Sequence, residues 1–220
     1  MFTTCPTLAR PRQRSSRDNG VAIDLLNAHG ASLEYLSGFL GPAEEDLRRR
    51  TLEHGIEFDS PEASRVFVHG KWRAIPRCQC AYGDDDCPVY RFSRAMVEPR
   101  SWTGPLRELR DRIAERTGSR ANFALVNHYA HAGEYISWHA DDERDLDPAV
   151  PIASLSLGSA CEFQFRPRTP GKEPGTVAML LEAGSLLTMH APTNSRFQHC
   201  LPRRTGRAAC DIGPLSLIHI

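Results

Sequence analysis

The sequence predicts an α+β fold: a double-sheet jelly roll (double-stranded β-helix) with helices packed outside it. Three observations lead there. Eight short segments alternate or concentrate apolar residues at strand spacing. Two helical patterns precede all but one of them. Glycine, proline or charged turns separate each segment from the next, the pattern of many short strands folded into two packed sheets.

Taken in order, residues 1–20 (MFTTCPTLARPRQRSSRDNG) carry four arginines, two prolines and no apolar period. A disordered basic tail is expected there, with residues 21–220 forming one domain. An organelle-targeting segment and a phosphate-binding arm are the alternatives for that tail. The first helix should start at Pro42, with Glu44 and Glu45 in its first turn, Leu47 and Leu52 inside it, and Gly55 to stop it. A second should start at Pro105, where Leu106, Leu109 and Ile113 share one face and Gly118 follows the end. The strand-like segments are SRVFVHG, FALVNHY, EYISWH, IASLSLG, CEFQFR, TVAMLL, SLLTMH and LSLIHI.

Composition narrows the function classes. No apolar run approaches the roughly 20 residues that span a bilayer, so no membrane partner is expected. Net charge is zero, so any nucleic-acid contact must come from local patches and not from a bulk basic field. Seven cysteines, odd in number and scattered behind no apolar leader, point to a reducing, intracellular compartment. Cys78 and Cys80 with Cys87 match no common zinc spacing and are expected to be plain thiols. A monomer is expected.

The stretch YISWHADDERDL places His139 and Asp141 two apart at the end of an apolar segment, with four charged residues behind them. At strand spacing the two side chains share a face. His199, in RFQHCLP, opens another apolar segment far downstream. Two imidazoles and one carboxylate on one face of a metal leave open positions, the arrangement that suits Fe(II) in oxygenases. His128, His131 and His190 lie nearby in sequence and are the competing candidates.

Three long stretches carry a resemblance. They are VHGKWRAIPRCQCAYGDDDCPVYRFS, NFALVNHYAHAGEYISWHADDERDLDPAVPIASLSLGSACEFQFR and GSLLTMHAPTNSRFQHCLP. They resemble the AlkB family of Fe(II)- and 2-oxoglutarate-dependent nucleic-acid dealkylases, nearest to its eukaryotic duplex-DNA repair branch, from about Leu33 to Pro202. The resemblance implies His139, Asp141 and His199 as iron ligands, with 2-oxoglutarate and O2 as co-substrates. It implies direct DNA repair by oxidative demethylation of 1-methyladenine and 3-methylcytosine, with RNA or protein as alternative substrates. Asn127 and Tyr129 match residues that hydrogen-bond 2-oxoglutarate. Tyr90, Phe92 and Ser93 match the base pocket, and Asp142 and Glu143 its rim. Lys71, Trp72 and Arg77 fall in a segment that resembles the family's nucleotide-recognition lid, where cations contact phosphate. His69 stands where the duplex branch tends to carry an aromatic wedge. The substrate so implied makes the nucleus the expected compartment.

The chain departs from the family at its C-terminal end, from about residue 203. The family ends on a strand of the type RxNxTFR, whose first arginine pairs with 2-oxoglutarate; here LSLIHI has strand alternation and no arginine. A buried carboxylate without a cation is costly. Three readings stand open: Arg203, Arg204 or Arg207 swings in, with Arg207 the candidate carried forward; the altered end leaves a weakened enzyme; or the chain is a non-catalytic relative that binds metal and nucleic acid.

Overall fold

In the computed structural model, which describes residues 16–60, 62–68, 70–87, 89–92, 95–204 and 214–219, the first element is a helix that begins inside the segment expected to be tail and continues into the domain. Helix α1 (Ser16–Ala28) buries Ala22 and Leu26, four apart on one face. Its Asn19 is also buried, and donates to the Leu180 carbonyl at 2.7 Å while accepting from the Leu180 amide at 2.8 Å. Paired backbone groups on a strand edge are thus satisfied by a side chain. No apolar alternation marks this helix, because only one narrow stripe of it is covered.

Strand β1 (Leu33–Leu36) and helix α2 (Pro42–Gly55) follow, then short strands β2 (Arg65–Val68), β3 (Lys71–Ala74), β4 (Cys78–Gly83), β5 (Tyr90–Phe92), β6 (Ala95–Val97) and β7 (Arg100–Ser101). Helix α3 (Gly104–Thr117) ends on Gly118 in the left-handed region, φ +72°, as its glycine foretells. The remainder is β8 (Phe123–Tyr129), β9 (Ile136–His139), β10 (Ile152–Gly158), β11 (Cys161–Pro167), β12 (Val177–Leu181), β13 (Leu186–Met189), a single turn α4 (Thr193–Arg196), β14 (Phe197–Leu201) and β15 (Leu215–His219).

Two sheets form the sandwich. The larger runs β1-β13-β10-β15-β8-β4-β7 and the smaller β12-β11-β14-β9. Alternation along the central strands of the larger sheet gives it two apolar faces. Tyr129, Leu187, Met189 and Leu217 face the smaller sheet and meet Phe163, Phe165, Met179 and Leu181 there. Val126, Leu155, Leu157 and Ile218 face outward onto Leu52 of α2 and Leu106, Leu109 and Ile113 of α3. Each such leucine, fully buried, contributes roughly 1.5–3 kcal/mol before entropy is charged. The helices are therefore outside the jelly roll, as predicted.

The LSLIHI segment is a strand of the larger sheet, antiparallel between β10 and β8, with Leu217 opposite Asn127 and Leu215 opposite Tyr129. Two hairpins, β2–β3 and β5–β6, stand apart from the sandwich as separate two-stranded sheets. Strands β1, β3, β4, β5, β6, β7 and β14 were not among the eight segments. They are short, or exposed throughout like Lys71–Ala74, or buried throughout from Gln79 to Gly83, so neither shows a period of two. One connection leaves no room for a side chain: at Gly184, φ +72°, an added Cβ would stand 2.6 Å from the Leu40 carbonyl oxygen.

Candidate active site

The smaller sheet brings distant histidines together by register. Strand β14 pairs antiparallel with β9 so that His199 lies opposite His139, and their ring centroids are 4.2 Å apart. Behind His199, β11 supplies Phe163, stacked on it at 5.4 Å, and Phe165 at 5.9 Å. This packing fixes the ring, which is almost wholly buried. Asp141 lies just past the end of β9 and faces both imidazoles: Oδ1 is 3.6 Å from His139 Nε2 and Oδ2 is 3.3 Å from His199 Nε2.

Protonation favours ligation. His139 Nδ1 is 2.9 Å from the Ser137 carbonyl oxygen, an acceptor only, so the ring proton sits on Nδ1 and Nε2 presents a lone pair. Burial, helped by His199, pushes the His139 imidazole down to about 3. Burial alone would raise the Asp141 carboxyl, but the imidazoles, His199 foremost, more than offset it and hold it below the usual carboxylate range.

The donor set fits a divalent first-row metal. One ligand atom from each of His139, Asp141 and His199 lies within 4.8 Å of the others. Neighbouring ligands about 2.1 Å from a shared ion stand roughly 3 Å apart, close to the separations seen. Asp141 Oδ2 and His199 Nε2 are buried with no hydrogen-bond partner, a cost that a bound cation removes. No other such group occurs among the described residues. His128 lies at hydrogen-bond distance from Ser216, His131 is exposed, and His190 lies 3.2 Å from Glu34. Cys78 and Cys80 are free thiols, and neither they nor Cys87 belong to the cluster.

The larger sheet faces this triad with polar groups. Asn127 and Tyr129 are both buried on β8, and neither Asn127 Nδ2 nor the Tyr129 hydroxyl has a hydrogen-bond partner. Burial pushes the Tyr129 phenol up to about 12, against the pull of Arg77. Arg77 does not stand with Lys71 and Trp72, which are exposed on the β2–β3 hairpin. It turns inward ahead of β4, and its Nε donates to Asn127 Oδ1 at 2.6 Å. Burial lowers its guanidinium from the ordinary value.

His219 is a site residue that reading the chain missed. It lies on β15 at 3.1 Å from Ser154 Oγ, and burial pushes it down to about 4 while Asp141 pulls the other way. Alternation in LSLIHI puts His219 on the face of Leu217, but only the pairing with β8 and β10 brings that face to the triad.

On the other side, the Tyr90 ring lies 4.8 Å from Phe123 and its hydroxyl hydrogen-bonds the Glu143 carboxyl. Burial, with help from Asp141, pushes Glu143 up to about 6, and its Oε2 has no hydrogen-bond partner. Asp142 turns outward and accepts from Arg168 Nη1 at 2.6 Å. Arg204 donates to the Ala160 carbonyl, and Arg203 is exposed. His69, Ser93 and Arg207, and the side chain of Phe92, lie outside the described residues.

Comparison with known proteins agrees with this geometry. A family model described as the 2OG-Fe(II) oxygenase superfamily matches residues 32–211. DNA oxidative demethylase ALKBH2 of Mus musculus is 42% identical over 184 residues, covering 81% of this chain and 76% of that protein. The Homo sapiens protein of the same name is 36% identical over 207 residues, covering 90% and 78%. The Homo sapiens alpha-ketoglutarate-dependent dioxygenase alkB homolog 3 is 37% identical over 135 residues, covering 58% and 46%. A solved structure, that of OsALKBH1, superposes with a TM-score of 0.53 at 18% identity over 85% of this chain and 96% of that one, a likeness of fold. With a two-histidine, one-carboxylate cluster in the mouth of a jelly roll and these relatives along most of its length, the chain belongs to the 2OG-Fe(II) oxygenase superfamily and, within it, to the AlkB family, and is a dioxygenase that uses Fe(II), 2-oxoglutarate and O2.

Proposed function

We propose that this protein repairs DNA directly by removing methyl groups from 1-methyladenine and 3-methylcytosine. The observation that carries the reading is the identity of 36–42% with proteins named DNA oxidative demethylase over at least 81% of the chain. With Fe(II) bound, 2-oxoglutarate and O2 become succinate and CO2, and one oxygen atom is inserted into a C–H bond of the N-methyl group. The N-hydroxymethyl product then loses formaldehyde and a proton and leaves the ring nitrogen with its lone pair restored.

The chain's own residues supply ligation, orientation and selection. His139, Asp141 and His199 would hold the metal, and the Ser137 carbonyl keeps His139 in the tautomer that ligates. A base must leave the duplex to reach them, at a cost of a few kcal/mol that is least for a methylated base. Tyr90 and Phe92 are the proposed walls of its pocket. Glu143, hydrogen-bonded by Tyr90, offers an unpaired Oε2 to the exocyclic amino group that both substrates carry. Asp142, already paired with Arg168, shapes the rim. Lys71, Arg73 and Trp72, exposed together on the β2–β3 hairpin, are suited to phosphate and sugar contact, with His69 proposed as the wedge and Ser93 as a pocket residue.

DNA is proposed over RNA, acting as a monomer in the nucleus. No helix among the described residues is long and apolar enough to cross a membrane. Incubation with Fe(II), ascorbate, 2-oxoglutarate and an oligonucleotide bearing one 1-methyladenine tests the activity. Equal amounts of succinate and unmodified adenine are expected. Oligonucleotide binding without succinate would instead identify a binding protein.

A further inference from the structure

Arg77 is a half-buried cation with no acid paired to it among the described residues. Its Nε donates to Asn127 Oδ1 at 2.6 Å, but among the described residues it forms no ion pair and its terminal amino groups donate to no protein acceptor. Its surroundings are the Tyr129 phenol and the Asn127 amide, whose hydroxyl and Nδ2 are also buried and unpartnered. Partial desolvation of a guanidinium with no counter-charge is costly, and an anion bound beside it would relieve that cost. The Arg77 terminal amino groups, Asn127 Nδ2 and the Tyr129 hydroxyl are three donor groups with no acceptor among the described residues, which describes a site for an anion.

The metal triad lies close enough that the charge of Asp141 acts on Tyr129, and that of Arg77 on His139 and His219. The strand beside β8 supplies no cation of its own: β15 presents Leu217 and His219 to this space.

We propose that Arg77, with Asn127 and Tyr129, is the carboxylate clamp for 2-oxoglutarate, pairing with the carboxylate remote from the metal in place of an arginine from the last strand. This rests on the dioxygenase reading above. The guanidinium's planar fork suits a carboxylate, and its hydrogen bond to Asn127 holds the fork in orientation before the co-substrate arrives. Arg77 is a specificity residue, selecting a dicarboxylic over a monocarboxylic 2-oxo acid.

The test is calorimetric titration of the Mn(II)-loaded full chain with 2-oxoglutarate and, separately, with 2-oxopentanoate, which lacks the remote carboxylate. Wild-type protein should prefer 2-oxoglutarate. R77Q should lose roughly 10- to 100-fold of its affinity for 2-oxoglutarate, the range of a charge-assisted hydrogen bond. Its affinity for 2-oxopentanoate and for Mn(II) should be unchanged, which also shows that it is folded. R77K, which keeps the charge, should retain part of the preference. R77Q that binds 2-oxoglutarate like wild type, or that loses both acids equally, overturns this assignment while leaving the dioxygenase reading intact. Wild-type protein that binds Mn(II) but neither acid overturns both.

Discussion

Metal should stabilise this fold by an amount that one side chain controls. In the metal-free protein, Asp141 Oδ2 and His199 Nε2 are buried without hydrogen-bond partners, and among the described residues no lysine or arginine pairs with the Asp141 carboxylate. An ion that binds only the folded chain adds RT ln(1 + [M]/Kd), about 2.7 kcal/mol at a hundredfold excess over Kd. For a domain of this size each kcal/mol moves the melting temperature by about 2–4 °C, so a rise of about 5–10 °C is expected. Differential scanning calorimetry with and without Mn(II) measures it. Asp141→Ala removes the carboxylate shared by both imidazoles and should reduce the rise to about 1 °C or less, the remainder expected of a site stripped of its one charged ligand. His199→Ala should abolish the rise and also lower the metal-free melting temperature, because the ring fills space between Phe163 and Phe165. The cavity costs about 2–4 kcal/mol. An Asp141→Ala protein that keeps the full Mn(II) shift would refute the triad as the metal site.

The pocket, the backbone and the thiols offer further checks. Glu143→Ala should lower kcat/KM for a 1-methyladenine oligonucleotide by about 10-fold or more, since one hydrogen bond to a charged group is lost, while 2-oxoglutarate affinity stays constant in the same calorimeter. Gly184→Ala forces a side chain into the left-handed region and against the Leu40 carbonyl. It should cost about 2 kcal/mol or more and lower the melting temperature by at least about 4 °C. Among the thiols, burial pushes Cys80 and Cys161 up to about 12, whereas Cys78 is exposed. Brief alkylation of the native protein near neutral pH, read by peptide mass spectrometry, should mark Cys78 before Cys80 or Cys161. Equal labelling of the three would show that the β4 and β11 thiols are not enclosed as described.

Much of this molecule is local and therefore written along the chain. Pro42, Pro105 and Gly118 mark helix ends because ring closure and the missing Cβ act on the backbone at that residue. Segments such as FALVNHY and IASLSLG read as strands because one face of each is covered differently from the other. The HxD pair is likewise local, two residues apart at a strand end. Tertiary structure alone decided what those pieces meet. His199 opposes His139 through the β14–β9 register, 60 positions apart in the chain, and no period in either segment encodes that pairing. Helix α1 begins where only a basic tail was legible, since its Asn19 finds the β12 backbone. Arg77 reads as one of a run of lid cations, yet it turns inward because Asn127 on β8 offers it an acceptor. Register and the partner of a half-buried charge are properties of strands that pair side by side in a sheet, and their energy exists only once both strands are in place.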